Sequence, residues 1–339
     1  MIKTTKLIKI NHEIHHCASV YPYSEDVTYI TFYTGPECRD EQSVYVLKYH
    51  KDELVKKLRL GEKSGNPIIF GFNDKIYLIY SKFTDADEHG TKINYDRNYV
   101  LRWKYCDNYI CRLDENLIIE NVHKIPGCHG RLARCQPLII NNRLIVPLYR
   151  ESDPICEIWE LIDDNLKFVS SFGEVNDEMQ KYMQDNDLSL NYLGSGIAIQ
   201  PTLFVKNDTI HAFSRNVCRS LHKNQNQFAI LSYSKNMVDW KNTISNIPNH
   251  NNSLFVCDIG DEFYLFFNDD IQRSKMLMMN LSNQFCINIS NRIYGGRGFS
   301  YPNASYAFGK LNIVHTNCGH IAWHVMDREF IDATFSNTY

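Results

Sequence analysis

The sequence predicts an all-β fold, a six-bladed β-propeller with one or two short helices in its loops, and three observations predict it. A two-strand unit recurs six times in the 339 residues, starting near Ala18, Asn66, Gln136, Gln200, Asn252 and Tyr301, at intervals of 48 to 70 residues. Each copy opens on a small polar or Pro-containing step, runs through an apolar strand, turns on polar residues and climbs a second apolar strand; QPTLFVKNDTIHAFSR (200–215) is the clearest. Recurrence at such a period marks a radial or stacked β architecture. The third observation is a lone strand ahead of the first copy, residues 6–14, where apolar and polar positions alternate with period two. That strand completes the blade whose other strands come from residues 301–326, so the ring closes without an exposed edge and residues 1–339 read as one domain.

Between the repeats lie short aromatic or branched segments bounded by polar turns, which predict outer strands: YVLRWKY (99–105), EIWELI (157–162), FAILSYS (228–234) and MLMMNLS (276–282). KDELVKKLRL (51–60) reads as a second short helix or a hairpin. NDEMQKYMQD (176–185) predicts a helix, with Asn176 as its cap and Asp177 and Glu178 in the first turn, where acids suit the helix dipole. No linker or low-complexity tract divides the chain.

Composition excludes several function classes. A hydrophobic fraction of 44% supplies a sizeable core, and a formal charge of −3 leaves no electrostatic footprint for nucleic acid or an acidic membrane. Eleven cysteines without a CxxC pair read as unpaired thiols in a reducing compartment. The N-terminus is too broken by charge for a signal peptide, and no run reaches the roughly 20 apolar residues of a membrane span, so a cytoplasmic location is expected. His12 to His16 satisfies HExxH, but the surrounding alternation predicts a strand, where the two histidines would not share a face as they do on a helix; no metal is expected. With no P-loop and no GxGxxG, no cofactor is expected either.

The order of fragments resembles the sialidase superfamily, most closely the bacterial BNR-repeat sialidase-like propellers. The matching pieces are HCAS (16–19), NPIIF (66–70), QPLIINNRLIVPL (136–148), IQPTLFVKNDTIHAFSR (199–215), IPNHNNSLF (247–255) and FSYPN (299–303), which together span nearly the whole chain. SKNMVDW (234–240) resembles a degenerate Asp-box, a turn clip of the outer strands. The resemblance implies a sugar carboxylate clamped by three arginines, a tyrosine nucleophile activated by a glutamate, and an aspartate acid and base. The first arginine falls on His16, the second on Arg215 and the third on Arg273. The tyrosine falls on Phe299 with Tyr301 two residues on, the glutamate on Gln200, and the aspartate near Ser43 with Asp40 and Glu41 close by. Phe cannot form a glycosyl ether and Gln cannot accept a phenol proton. The usual sialidase set is therefore not retained.

Ends of inner strands converge on the axis of a propeller, so polar groups there are read first as function. For catalysis these are His16, Asp40, Glu41, Glu151 and Tyr301. For binding, the basic members are Arg39, Lys82, Arg134, Arg150, Arg215, Arg273 and Arg297, joined by Gln136, Gln200 and Asn252; His15 and Asn66 belong to the same lining. The cationic excess in a slightly acidic chain suits an acidic sugar or glycan, with the alternative that several of these arginines lock neighbouring blades. The expected function is an exo-acting glycosidase or lyase on such a sugar; the competing reading is an inert propeller that binds a glycan or a protein.

Overall fold

Two-residue turns with paired positive φ angles set the hairpins of this chain. Asn73–Asp74 (48°, 58°), Asn141–Asn142 (49°, 58°), Asp163–Asp164 (52°, 60°) and Asn207–Asp208 (51°, 56°) each join two antiparallel strands. Such primed turns follow the right-handed twist of a β-ribbon, and Asn and Asp tolerate the left-handed region that most side chains avoid.

The computed structural model describes residues 4–10, 14–93, 99–190, 196–220, 227–289 and 298–336. Its strands form six sheets arranged as the blades of a β-propeller. Blade 1 runs outward from the axis through His15–Pro22, Val27–Thr34, Ser43–His50 and Glu53–Glu62; blade 2 through Ser64–Phe72, Lys75–Phe83, Cys106–Leu113 and Ile119–Lys124. In blade 3 the inner strand is broken into Arg131–Ala133 and Leu138–Ile140, both paired with Arg143–Arg150, followed by Ile155–Ile162 and Asn165–Phe172. Blade 4 comprises Ala198–Lys206, Thr209–Asn216, Phe228–Ser234 and Lys241–Pro248; blade 5 comprises Phe255–Ile259, Glu262–Phe267, Leu277–Asn280 and Cys286–Asn288.

Blade 6 takes Phe299–Ala307, Lys310–Asn317 and His320–Asp327 from the end of the chain and Thr4–Ile8 from its beginning, with Thr5 opposite His324. Buried histidines reinforce this seam: Thr5 Oγ1 lies 3.0 Å from His324 Nδ1, and His324 Nε2 lies 2.9 Å from His315 Nε2. Burial lowers the His315 pKa to about 4 and the His324 pKa to about 3.

Inner strands present unpaired N–H groups to the axis, and side chains of the neighbouring blade satisfy them. Val20 N donates to Asn303 Oδ1 (3.2 Å), Ile69 N to Ser19 Oγ (3.3 Å) and Val256 N to Thr202 Oγ1 (3.0 Å). Each acceptor lies two residues after a bulge whose apex has positive φ: Cys17 (54°), Gln200 (55°) and Tyr301 (54°), with Asn66 (44°) the equivalent in blade 2. The bulge therefore does two things at once, turning one side chain into the mouth of the ring and the next into a seam.

The helix expected over 176–185 is Asp177–Asp185, with Asn176 Oδ1 accepting from Met179 N at 2.9 Å. The SKNMVDW turn is a clip as expected: Asn236 Oδ1 accepts from Val238 N and Asp239 N, both 2.9 Å, and Trp240 stacks on Phe172 at 4.3 Å. Three details differ from expectation. Residues 99–104 form a short 3-10 helix, Tyr99–Lys104, not an outer strand; Arg102 and Trp103 are drawn inward by partners in blade 1, which overrides the strand-like composition. KDELVKKLRL forms the turn and fourth strand of blade 1. A C-terminal helix, Arg328–Ser336, packs Ile331 and Phe335 against blades 5 and 6. All eleven cysteines are free, and among the described residues no helix is long and apolar enough to cross a membrane.

Candidate active site

Blade 3 closes the axis. The break in its inner strand releases Arg134 and Gln136 from the ladder and sends both across the ring. Arg134, 2% exposed, donates to the carbonyl oxygens of Ala18 (3.4 Å) and Pro302 (3.2 Å). Gln136 Nε2 meets Ser19 Oγ (3.0 Å), Val20 O (2.9 Å) and Ile69 O (3.1 Å). These two residues form a floor. Both were expected to bind substrate; here both terminal nitrogens of Arg134 and the Gln136 amide nitrogen reach backbone carbonyls of other blades, while Arg134 Nε is buried with no partner among the described residues.

Above the floor two other arginines are held differently. Arg215, at the end of the second strand of blade 4, donates through Nε to Asn251 Oδ1 (2.7 Å) and through Nη1 to Gln200 Oε1 (3.3 Å). Arg273, in the loop of blade 5, donates through Nε to Asn252 Oδ1 (2.5 Å) and through Nη2 to Asn251 O (3.3 Å). Both guanidinium groups thus hang from one Asn251–Asn252 dipeptide, with neutral partners. Among the described residues neither has a carboxylate within ion-pairing distance. Asn252, expected in the binding set, orients the Arg273 guanidinium.

Tyr301 and His16 complete this wall. The Tyr301 ring lies 4.5 Å from the His16 ring, edge to face, and carries Arg134 at 5.2 Å and Arg273 at 5.8 Å from its centroid. Burial raises the Tyr301 pKa, while Arg215 and Arg273 pull it back. His16 Nδ1 is 3.0 Å from Thr316 Oγ1. Burial, helped by Arg134 and Arg273, lowers the His16 pKa to about 3, so the ring is neutral near pH 7 and adds no charge. Phe299 is fully buried in the core against His315. The phenol at the axis is Tyr301, whose bulge position matches that of Gln200 in blade 4.

Two acids, Glu151 after the second strand of blade 3 and Glu37 in a loop of blade 1, act on the groups of this site. Tyr149 lies near the end of the strand Arg143–Arg150, and Glu151 opens the turn that follows it. Tyr149 Oη accepts from Gln200 Nε2 at 3.3 Å, and Glu151 feels the charge of Arg215. Burial raises the Glu151 pKa to about 7; Arg215 opposes the shift and the Glu37 carboxylate adds to it. Glu37 also adds to the elevation that burial imposes on Tyr33 and Tyr301. Glu37 Oε1 accepts from Trp103 Nε1 at 3.1 Å, and Gln42 pins its loop through Cys38 N at 2.7 Å.

Glu37 was missed in the sequence, as were Tyr33, Tyr149 and Asn251. For Tyr149 a signal existed, since it stands two residues before the candidate Glu151 at the end of the second strand of a repeat. For Glu37 there was none beyond its place in the loop above His16.

The remaining candidates lie elsewhere. Asp40, expected to be catalytic, is held by Arg102 (2.6 Å), whose other terminal nitrogen takes Asp85 (2.9 Å); the group clamps blade 1 to blade 2. Glu41 and Arg39 are exposed on the same loop, and Lys82 is exposed on the second strand of blade 2. Arg150 faces away from Tyr149 and Glu151 and meets Glu157 at 3.1 Å and Asp153 at 3.5 Å. His15 is fully buried, with Nε2 accepting from Ile10 N at 2.7 Å. Asn66 is buried at its bulge. Arg297, His12 and Glu13 lie outside the described residues. The described residues contain no group of His, Cys, Asp and Glu arranged to hold a metal.

No family model matches the chain, and no curated protein matches it in sequence. Solved structures do match. A protein of unknown function from Dyadobacter fermentans superposes with a TM-score of 0.68 at 12% identity, over 95% of this chain and 97% of that one. Trypanosoma rangeli sialidase in complex with sialic acid gives 0.64 at 10% identity, over 98% of this chain and 60% of the sialidase. A subtype N10 neuraminidase-like protein of A/little yellow-shouldered bat gives 0.52 at 8% identity, over 96% and 99%. The likeness is one of fold: the chain shares the six-bladed propeller architecture of these proteins.

Proposed function

We propose that the chain is a sialidase-like carbohydrate-active protein, an exo-acting glycosidase on an acidic sugar bound at the propeller axis. One observation carries this reading: Arg215 and Arg273, from neighbouring blades, are tied to the same asparagine pair and lack a carboxylate partner among the described residues. Two guanidinium groups oriented by neutral acceptors keep their charge available for a ligand carboxylate. Trypanosoma rangeli sialidase, which shares the fold, binds sialic acid.

For the reaction, Glu151 is the general acid. A carboxyl with a pKa of about 7 keeps a proton near neutrality and can pass it to the glycosidic oxygen as the bond to the anomeric carbon breaks. Glu37 takes a proton from the water whose oxygen bonds to that carbon, so the two carboxyl groups exchange one proton per turnover. Tyr301, flanked by Arg134, Arg215 and Arg273, supports the developing positive charge with its ring and hydroxyl.

The test is a panel of fluorogenic sialosides, uronides and rhamnosides. Turnover of an acidic member, reduced about 100-fold or more in Glu151→Gln and lost in Arg215→Ala, is the expected result. The second reading, a binding propeller without turnover, is favoured by Gln200, which stands where the resemblance puts the activating glutamate. Arg215-dependent binding of an acidic sugar without hydrolysis of any member would select it.

A further inference from the structure

At the far end of blade 4 from Arg215 the same two strands frame a second site. A cavity of about 710 Å³ is lined there by Lys206, Asn207, Thr209, His211, Tyr233 and the rim of the Asn236 turn, with Lys235 and Lys241 at its edge. The strand register builds it: Phe204 is opposite His211, His211 opposite Tyr233, and Tyr233 opposite Lys241, so these four residues form one row across the blade. Phe204 is buried and stacks on His211 at 5.2 Å; His211 lies 6.2 Å from Tyr233, which is 36% exposed. The row thus grades from core to an outward tyrosine and an outward ammonium.

The charges in this groove are unbalanced. Lys206, Lys235 and Lys241 are exposed and have no ion pair among the described residues. The acid at the rim, Asp239, is bonded by Asn236 Nδ2 at 2.8 Å. Burial lowers the His211 pKa, so that ring contributes apolar surface rather than charge.

We infer that this groove is an anchoring site for an acidic polysaccharide, separate from the axial pocket and independent of its chemistry. Three ammonium groups meet the sulfate or carboxylate groups along the polymer, Tyr233 packs against a sugar ring, and the amides and hydroxyls of Asn207, Asn236 and Thr209 suit sugar hydroxyls. A single-stranded nucleic acid is the competing polyanion. The groove has no arginine and one exposed ring, which does not match the stacking platforms and guanidinium contacts of nucleic-acid grooves.

Affinity electrophoresis of the full chain through gels containing heparin, polygalacturonate or neutral dextran tests this, with a labelled oligo(dT) measured in parallel. Retardation by one of the acidic polymers and not by dextran is expected. Tyr233→Ala leaves every charge in place and should weaken the retardation about 5-fold, the loss of one exposed aromatic packing face. Lys206→Ala with Lys241→Ala should weaken it at least as much, and in an Arg215→Ala background, where the axial pocket no longer contributes, both losses should persist. The inference is overturned by equal retardation of wild type and Tyr233→Ala, by tighter binding of the oligonucleotide, or by a loss confined to Arg215→Ala. Absence of retardation by both acidic polymers overturns it as well.

Discussion

Arg134 and Arg215 stand at the same axis, yet one is held by backbone carbonyls and the other by side-chain amides. Arg134 rises from the broken strand of blade 3 and is bound by two carbonyl oxygens belonging to blades 1 and 6. Arg215 ends an unbroken strand of blade 4 and is bound by side-chain amides that orient it without neutralising it. The difference teaches that the partner, not the cation, assigns the role. A guanidinium facing backbone carbonyls ties blades together; one suspended from Asn251 and Gln200 keeps its charge uncompensated, as the proposed anion site requires.

The sharpest way to break this comparison is to truncate both. Arg134→Met should cost about 3 kcal/mol or more in chemical denaturation, because two charge-assisted bonds are lost and the carbonyls stay buried. Arg215→Met should weaken binding of an acidic monosaccharide about 10-fold or more, as expected for losing a charged contact of 1.5–3 kcal/mol, with a smaller effect on stability. Equal effects of the two substitutions on both readouts would erase the distinction.

Acid stability sharpens it next. His16, His315 and His324 have pKa values lowered to between about 3 and 4 when folded, against about 6.5 unfolded. Between those limits the unfolded chain binds more protons, so stability is retained above about pH 6.5 and lost as pH falls toward 4. Glu151 acts with the opposite sign. Its folded pKa of about 7 lies above the unfolded value of about 4.3, so its contribution is full at low pH and lost as pH rises through 7. Denaturation across pH 4 to 8 should therefore show a net acid loss, and Glu151→Gln should steepen it and raise stability at pH 8 relative to pH 5.

Smaller effects concern the loop above the pocket. Trp103→Phe keeps the ring packing but removes the bond to Glu37; a stability loss of about 1 kcal/mol is expected, together with a shift in the pH dependence of any turnover. Asp40→Asn should cost less than about 1 kcal/mol, as for a partly exposed ion pair, and leave ligand binding unchanged. A collapse of binding in Asp40→Asn would return that residue to the site.

Much of the architecture was legible because it is written in local chemistry. Asn-Asp and Asn-Asn turns, period-two strands and the Pro-containing openings repeat along the chain, and the closing strand before His15 had no other place to pair. The site was legible only in part. Gln200 and Tyr301 open inner strands, Arg215 ends the second strand of blade 4 and Arg273 follows the second strand of blade 5, positions the repeats locate. Glu37 sits in a loop whose path depends on Arg102 and Trp103, some 65 residues later in the chain, and no local pattern reports that contact. Asp40 and Glu37 are carboxylates three residues apart in one loop; that one pairs with Arg102 and the other with Trp103 is decided by tertiary contacts. The same holds for Arg102 and Trp103, which read as part of a strand until their partners are seen.

The most direct test is a crystal soaked with sialic acid or galacturonic acid. The account predicts the ligand carboxylate between Arg215 and Arg273, with oxygens about 2.7–2.9 Å from guanidinium nitrogens, and Arg134 still on the Ala18 and Pro302 carbonyls. A carboxylate bound away from both Arg215 and Arg273, or an empty axis at saturating ligand, would contradict it.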